Sequence, residues 1–142
     1  MSSKYYDVNA CLQVIGDIFV NPSLLDAEDL YKFNQEDFPL EFHKILFGSI
    51  FNLHQLGAKQ ISIEDIEKYL EQRPKKYAVY KTNKGSEYLT NVKEMCQLAA
   101  FDYYYKRMKK MTLLRAYNTN AGMDLSWLYD PDNIFDSRKK EI

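Results

Sequence analysis

One stretch of the sequence, PLEFHKILFGSIFNLHQLG at residues 39–57, constrains the fold more than any other. On a helix its apolar residues point to almost every side: Leu40, Phe42, Ile45, Leu46, Phe47, Ile50, Phe51, Leu53 and Leu56. A helix that is apolar all round is stable in water only when other elements cover it. The stretch therefore predicts a central helix from about Pro39 to Leu56, with Gly57 at its C-terminal end.

Helical spacing also marks the segments on either side. Asp7 is placed to cap a first helix in which apolar residues recur every three or four positions, and the Asn-Pro pair at 21–22 ends it. Ser23 is then expected to cap a short second helix. Further along, Ser62 and Asp65 form a capping box that predicts the start of another helix.

The remaining segments are of two kinds. Residues 34–38 are predicted to be a polar connection and residues 73–84 an exposed basic loop, because neither has a clear period. Residues 86–98 and 101–121 have helical spacing. Glycine (5) and proline (4) are scarce among 142 residues, which favours helices over a turn-rich β fold. The sequence therefore predicts an all-α protein, a small orthogonal bundle of about five to six helices.

Charge is distributed unevenly along the chain. Net charge is −1, but residues 1–72 sum to −7 and residues 73–117 to +8. This separation of an acidic N-terminal part from a basic middle part indicates a surface with two oppositely charged regions, each suited to a partner of the opposite charge. Because we find no membrane-length apolar run and no signal peptide, we expect a cytoplasmic protein without membrane contact, in which Cys11 and Cys96 are reduced core thiols.

No motif in the sequence predicts catalysis. There is no phosphate-binding loop, no HExxH or GxSxG motif and no Cys/His cluster, so we predict no catalytic, cofactor-binding or metal-binding residues in these 142 positions. His43 and His54 lie about three turns apart, too far for a metal pair, and are expected to pack or to cap a helix. The carboxylates of residues 26–41 lie on both sides of Lys32 and are expected to form a solvated face.

Residues 101–117, FDYYYKRMKKMTLLRAY, combine aromatic and basic residues. One face of an ideal helix collects Phe101, Tyr104, Tyr105, Met108 and Met111. The opposite side collects Lys106, Arg107, Lys109 and Lys110. These basic residues are open to three interpretations: nucleic-acid contact, a solvated or subunit-facing surface, or docking of an acidic partner. Stacking of single-stranded bases is disfavoured because only Tyr103 projects toward the basic side.

Further along this helix the apolar stripe changes sides. The side that the lysines occupy at first is taken over by Leu113, Leu114, Tyr117 and Ala121. A helix packed only on its own domain would keep one stripe. We therefore predict an arm whose second half meets a partner, through an interface of these four residues together with Lys106 and Lys110.

Several short segments occur in an order found in one known family. They are Ala10-x-x-x-Val14-Ile15-Gly16-Asp17-Ile18, then Asp37-Phe38 with His43-x-x-Leu46-Phe47, then Gly57, Gly85-x-x-Tyr88-Leu89, and the helix from Tyr104 or Tyr105 to Arg115. Over about residues 7–125 the chain resembles the N-terminal domain of DnaB-type replicative DNA helicases. The structural signature expected from this resemblance is Gly16, Asp37, Phe38, His43, Phe47, Gly57 and Arg115. The segment after Gly122 is similar to phage and mobile-element variants.

The resemblance implies a helical globule over residues 1–100 and a helical hairpin arm over residues 101–142, with the second arm cut off at Ile142. In that family, hairpins pair between subunits and form a collar on a hexameric ring. The collar binds primase and, in some systems, a helicase loader, while ATP and Mg²⁺ belong to a separate motor domain. We therefore expect a non-catalytic collar domain without a cofactor, a homo-oligomer (a dimer, or part of a hexamer), with weak or indirect DNA contact.

Two other interpretations stay open. A freestanding phage adaptor with this fold would bind a host helicase or primase. A DNA-binding accessory module would use the basic residues between 73 and 117.

Overall fold

Six α-helices form the part of the chain that the computed structural model describes, residues 5–121 with side chains as far as Tyr117. They are α1 (Val8–Val20), α2 (Glu41–Gln55), α3 (Ile63–Glu71), α4 (Pro74–Thr82), α5 (Gly85–Met95) and α6 (Phe101–Ala121). Short 3₁₀ turns lie at Pro22–Asp26, Gln35–Asp37 and Leu98–Ala100. No strand occurs in this range, which confirms the predicted all-α bundle. Within it, no helix is long and apolar enough to cross a membrane.

Helix α1 is the most enclosed element and contacts α2, α5 and α6. Nine of its 13 residues are buried. Asp7 caps its N-terminus by accepting a 3.0 Å hydrogen bond from the Ala10 N–H, as predicted. Helix α2 shares the centre, packed on α1, α3 and α4, but its last turn is open, with Phe51 37% and the following Leu56 80% exposed.

The boundaries of α2 and α3 follow the predicted caps. Helix α2 begins at Glu41, two residues later than predicted, because Leu40 has extended backbone. Gly57 follows the helix with a φ of 108°, a conformation that glycine adopts without steric cost. Ser62 and Asp65 exchange both hydrogen bonds of the capping box at the start of α3.

The structure corrects the predictions for the two segments between α1 and α2. After α1 there is a 3₁₀ turn, in which Ser23 donates a hydrogen bond to Asn21 Oδ1 at 2.6 Å and caps no helix. The segment 34–38, predicted as a polar connection, contains a second 3₁₀ turn in which Asp37 is fully buried, as is the following Phe38. The prediction that the carboxylates of residues 26–41 form a solvated face is therefore wrong for Asp37. Both turns are too short to show a period in the sequence.

The predicted basic loop at 73–84 is wrong, because most of it is helix α4. Pro74 occupies the first turn, where its missing N–H costs no hydrogen bond. Tyr80 is buried on the side that faces the bundle and donates a hydrogen bond to Glu67 Oε2 at 3.0 Å. The lysines hide the pattern, since a nine-residue helix with one buried aromatic has little amphipathic signal.

Both histidines have packing or capping roles, as predicted. His43 lies between the hydroxyls of Tyr6 and Tyr88, at 3.2 and 2.9 Å from its two ring nitrogens. Burial lowers the pKa of His43 to about 4, so this ring is neutral at physiological pH. His54 Nδ1 lies 3.1 Å from the carbonyl oxygen of Ala58, just past the end of α2.

Helices α1 and α5 cross closely at Gly16. A Cβ atom added to Gly16 would lie 2.8 Å from Cys96 Cβ and 3.1 Å from the carbonyl oxygen of Val92. Both neighbours are on or beside the backbone, so neither can move away freely. Glycine at this position is therefore required by the approach of the two helices.

The next residue along α1, Asp17, is a buried carboxylate. It is 0% exposed, and no described residue gives its oxygens a hydrogen bond. Burial raises the pKa of Asp17 to about 6, which the nearby Cys96 thiol offsets only in part. Burial of Cys96 raises the pKa of its thiol to about 11, so the thiol is protonated at neutral pH. Cys11 and Cys96 are both free cysteines.

We predict that Gly16→Ala destabilises the domain, because the added methyl group pushes α1 from α5. The loss should be about 1–3 kcal/mol in the free energy of unfolding, measured by urea denaturation. Gly48→Ala is the matched control, since Gly48 is also helical and nothing lies within 4 Å of its added Cβ. That variant should gain about 0.5–1 kcal/mol from helix propensity. Equal effects would contradict the close crossing.

Asp17→Asn is predicted to remove a pH dependence of stability. Since the pKa of Asp17 is raised to about 6 in the folded state, the folded protein holds this proton more tightly than the unfolded chain. Stability from this group is full below about pH 4 and is lost as the pH rises through 6. The variant should be more stable than wild type at pH 7, by about 1–3 kcal/mol, and show no advantage at pH 4. The assignment would be contradicted if the free energy of unfolding in urea changed between pH 4 and pH 7 by the same amount in the variant and in wild type.

Candidate protein-interaction surface

Helix α6 packs on α1 along one face. The residues of that face are buried, namely Phe101, Tyr105, Met108 and Met111. The Tyr105 hydroxyl accepts a hydrogen bond from the Lys32 N–H at 2.8 Å and lies 3.0 Å from the carbonyl oxygen of the same residue. The predicted inward face of the arm is confirmed, with Tyr104 only partly buried.

A buried carboxylate on the turn before α2 fixes the middle of α6. Asp37 is 0% exposed and accepts hydrogen bonds from Lys109 Nζ at 3.0 Å and from the Thr112 hydroxyl at 2.8 Å. A third bond, of 3.0 Å, comes from the Asn34 N–H. The charge of Asp37 is thus compensated from two successive turns of α6 and from its own turn.

Two arginines extend this attachment toward the N-terminus. Arg115 donates hydrogen bonds to the carbonyl oxygens of Tyr5 and, at 2.7 Å, of Glu36. Burial lowers the pKa of Arg115, although the group stays charged. Arg107 Nε lies 2.7 Å from the carboxylate of Asp7, which also caps α1. Cationic side chains therefore tie α6 to both segments that precede α1 and α2.

These contacts correct the prediction for the basic side of α6. Of its four residues, Arg107 and Lys109 pair with carboxylates of the domain, and Lys110 is only 5% exposed. Lys106 is exposed and pairs with Asp102 one turn away, at 3.1 Å. The sequence left nucleic-acid contact, a solvated or subunit-facing surface and docking of an acidic partner open for these residues, because local spacing does not reveal distant residues, such as Asp37, that approach them in the fold.

The predicted interface residues divide into two groups. Leu114 is 0% exposed and packs with Tyr5 and Met111, and Lys110 is also buried, so neither lies at the surface. Tyr117 is 50% exposed, Lys106 is exposed and Leu113 is partly buried. The side chain of Ala121 lies outside the described residues. The outward face of α6, defined here as Tyr103, Lys106, Leu113 and Tyr117, keeps a spacing of three, seven and four residues along one side.

The expected signature residues hold the places where elements meet. Gly16 lies at the α1–α5 crossing, and Asp37 and Arg115 join α6 to the turn before α2. Phe38 stacks on Phe47, with ring centroids 4.8 Å apart. Lys109 and Thr112, which donate hydrogen bonds to Asp37, were not predicted to do so. Thr112 lies on the buried face of the ideal helix with Tyr105, and that position is the one signal in the sequence that could have found it.

Residues 3–110, from the segment before α1 to the middle of α6, match the family described as the DnaB-like helicase N terminal domain. The chain belongs to this family. It is similar to the SPbeta prophage-derived uncharacterized protein YorI of Bacillus subtilis (strain 168), with 36% identity over 135 residues. These residues are 95% of this chain and 26% of YorI, so the chain spans about a quarter of that relative. No solved structure gives a significant match.

The prophage origin of this relative agrees with the phage-type variant that the sequence indicated. The division of the chain at residue 100 and the interface residues of α6 stay predictions. Among the described residues, no group of histidine, cysteine and acidic side chains could hold a metal ion.

We predict that Asp37→Ala destabilises the domain by about 3 kcal/mol, because it leaves the Lys109 ammonium without its buried partner. The free energy of unfolding in urea measures this effect. Glu64→Ala is the control, since it breaks an exposed pair with Lys68 at 3.5 Å and should cause no measurable loss. If both variants unfold at the same urea concentration, Asp37 does not hold α6.

Proposed function

We propose that this chain is the collar domain of a hexameric replicative DNA helicase. In this role the outward face of α6 pairs with the same helix of a second subunit, and the domain docks primase and, in some systems, the helicase loader during DNA replication. ATP and Mg²⁺ would be bound by a motor domain outside these 142 residues. Family membership over residues 3–110 supports this proposal.

The observation that carries the proposal is how α6 is held. One side of the helix is fixed to the bundle through Asp37, while Tyr103 and Tyr117 on the other side are 63% and 50% exposed. Large aromatic side chains on a rigid helix are effective anchors at protein interfaces, because little conformational entropy is lost when they are covered. A fixed helix with an open aromatic side is suited to assembly.

The contacts on α6 also weaken the DNA-binding alternative. Nucleic-acid affinity depends on lysine and arginine side chains that are available to phosphates. Arg107 and Lys109 are instead paired with carboxylates of the domain, and Lys110 is buried. The DNA contact of this helix is therefore proposed to be weak or indirect.

Self-association tests the proposal. The 142-residue chain should show a concentration-dependent increase in mass by light scattering coupled to gel filtration. Tyr117→Glu should weaken association by about tenfold or more, because it places a charge in the contact. Met95→Glu is the matched control, since Met95 is 51% exposed and belongs to α5 and not to the outward face of α6.

Two outcomes would contradict the assembly role. One is a chain that stays monomeric at every concentration at which it is soluble. The other is equal weakening by Tyr117→Glu and Met95→Glu, which would indicate a general effect of added charge.

A further inference from the structure

A groove with aromatic walls lies between α2 and the segment that follows α1, on a part of the domain not assigned above. Its cavity has a volume of about 370 Å³. The groove is lined by the apolar and aromatic residues Leu25, Tyr31, Phe33 and Phe51 and by the polar residues Glu28, Lys32 and Gln55. This volume is within the range of sites that bind small ligands or single side-chain anchors, roughly 300–1,000 Å³.

Two leucines that are close in sequence to residues of the groove are also exposed, Leu30 by 72% and Leu56 by 80%. Single exposed leucines need no explanation. Together with Phe51, which lines the groove and is 37% exposed, they add apolar area that gains stability when it is covered.

The segment that forms one wall has no regular secondary structure at 31–34, yet side chains hold it in place. Tyr105 bonds to both backbone groups of Lys32, at 2.8 and 3.0 Å. Tyr31 donates a hydrogen bond to Asp102 at 3.1 Å, and its ring meets the Phe101 ring edge-on at 4.8 Å. The wall is therefore preformed, so a ligand would not have to order it on binding.

A second contact lies beside the groove, a hydrogen bond between His54 and Asp26. His54 Nε2 lies 2.8 Å from the carboxylate of Asp26, and this bond raises the pKa of His54. It joins the last turn of α2 to the turn that contains Leu25. Both walls are thus fixed by contacts that belong to the bundle.

The segment beside the groove carries more acidic than basic residues. Asp26, Glu28 and Asp29 are exposed, and Lys32, which also lines the groove, is the one basic residue among residues 25–33. Within residues 5–121, neither Glu28 nor Asp29 forms an ion pair. Carboxylates around an apolar groove repel phosphate, which disfavours nucleic acid, and attract lysine and arginine.

We propose that this aromatic groove docks a short segment of a partner protein, an amphipathic helix whose apolar anchors enter between Phe51 and Tyr31 and whose basic residues face Glu28 and Asp29. Helices bind such grooves through apolar residues spaced three or four apart. The inference rests on the proposed docking role and names the surface for it, while self-association uses the outward face of α6.

Two matched peptides test the groove on the isotope-labelled 142-residue chain. One is an amphipathic helix of leucine and lysine, and the other has glutamate in place of lysine. The lysine peptide should shift the backbone amide signals of residues 25–33 and 51–56. The glutamate peptide should bind at least about tenfold more weakly, because its charges face those of Glu28 and Asp29.

Variants of the chain separate groove binding from general charge attraction. Phe51→Glu should reduce affinity for the lysine peptide by about tenfold or more, and Glu28→Lys combined with Asp29→Lys should reduce it similarly. Leu98→Glu is the control, since Leu98 is 46% exposed elsewhere and should not change the affinity. The Phe51→Glu spectrum must keep wild-type dispersion, which is expected because this side chain is partly exposed.

The proposal is overturned if the two peptides bind equally or if Phe51→Glu has no effect. It is overturned too if the shifts fall on the outward face of α6, because the peptide would then bind the surface proposed for a second copy of the chain. It is also overturned if single-stranded DNA shifts the same amide signals more strongly. Loss of peptide binding in Phe51→Glu with unchanged self-association supports the groove independently of assembly. A primase that binds Phe51→Glu as well as wild type would reject the groove and leave the docking role standing.

Discussion

The carboxylate of Asp37 is the group on which the placement of α6 depends, because it is fully buried and would be costly without its partners. Lys109 and Thr112 supply those partners from two turns of α6, and Arg115 reaches the backbone of the adjacent residue. Once these bonds form, the helix can neither rotate nor slide without stranding a charge in the interior. The side of α6 that faces outward is therefore set by the side that binds Asp37.

A helix fixed in this way suits a scaffold. An assembly arm must present the same side chains to every subunit, and rigid elements hold such surfaces more precisely than loops do. The aromatic groove near Tyr31 follows the same logic, since tyrosine hydroxyls and a histidine–carboxylate contact hold an irregular segment in one conformation. The two proposed surfaces lie on different elements, so the proposed assembly and the proposed docking of a partner need not compete.

Much of the fold follows from local patterns in the sequence. The cap at Asp7, the capping box at Ser62, Gly57 as the end of α2 and the apolar patterns of α1, α2 and α5 are local, and all were predicted. The prediction of a loop at residues 73–84 was wrong for a physical reason. Helix α4 is short and basic, and it is helical because Tyr80 packs into the bundle, which local spacing does not reveal.

The sequence by itself determined five of the six described helices, most of their caps and the family, because hydrophobic spacing and capping act within a few residues. Only the tertiary structure decided which face of α6 is open. Lys109 meets Asp37 from 72 positions away, and Leu114 is covered by Tyr5, so residues that looked like solvated charge and a free apolar stripe became internal contacts. Such pairings depend on how the chain returns on itself, and no local period records them.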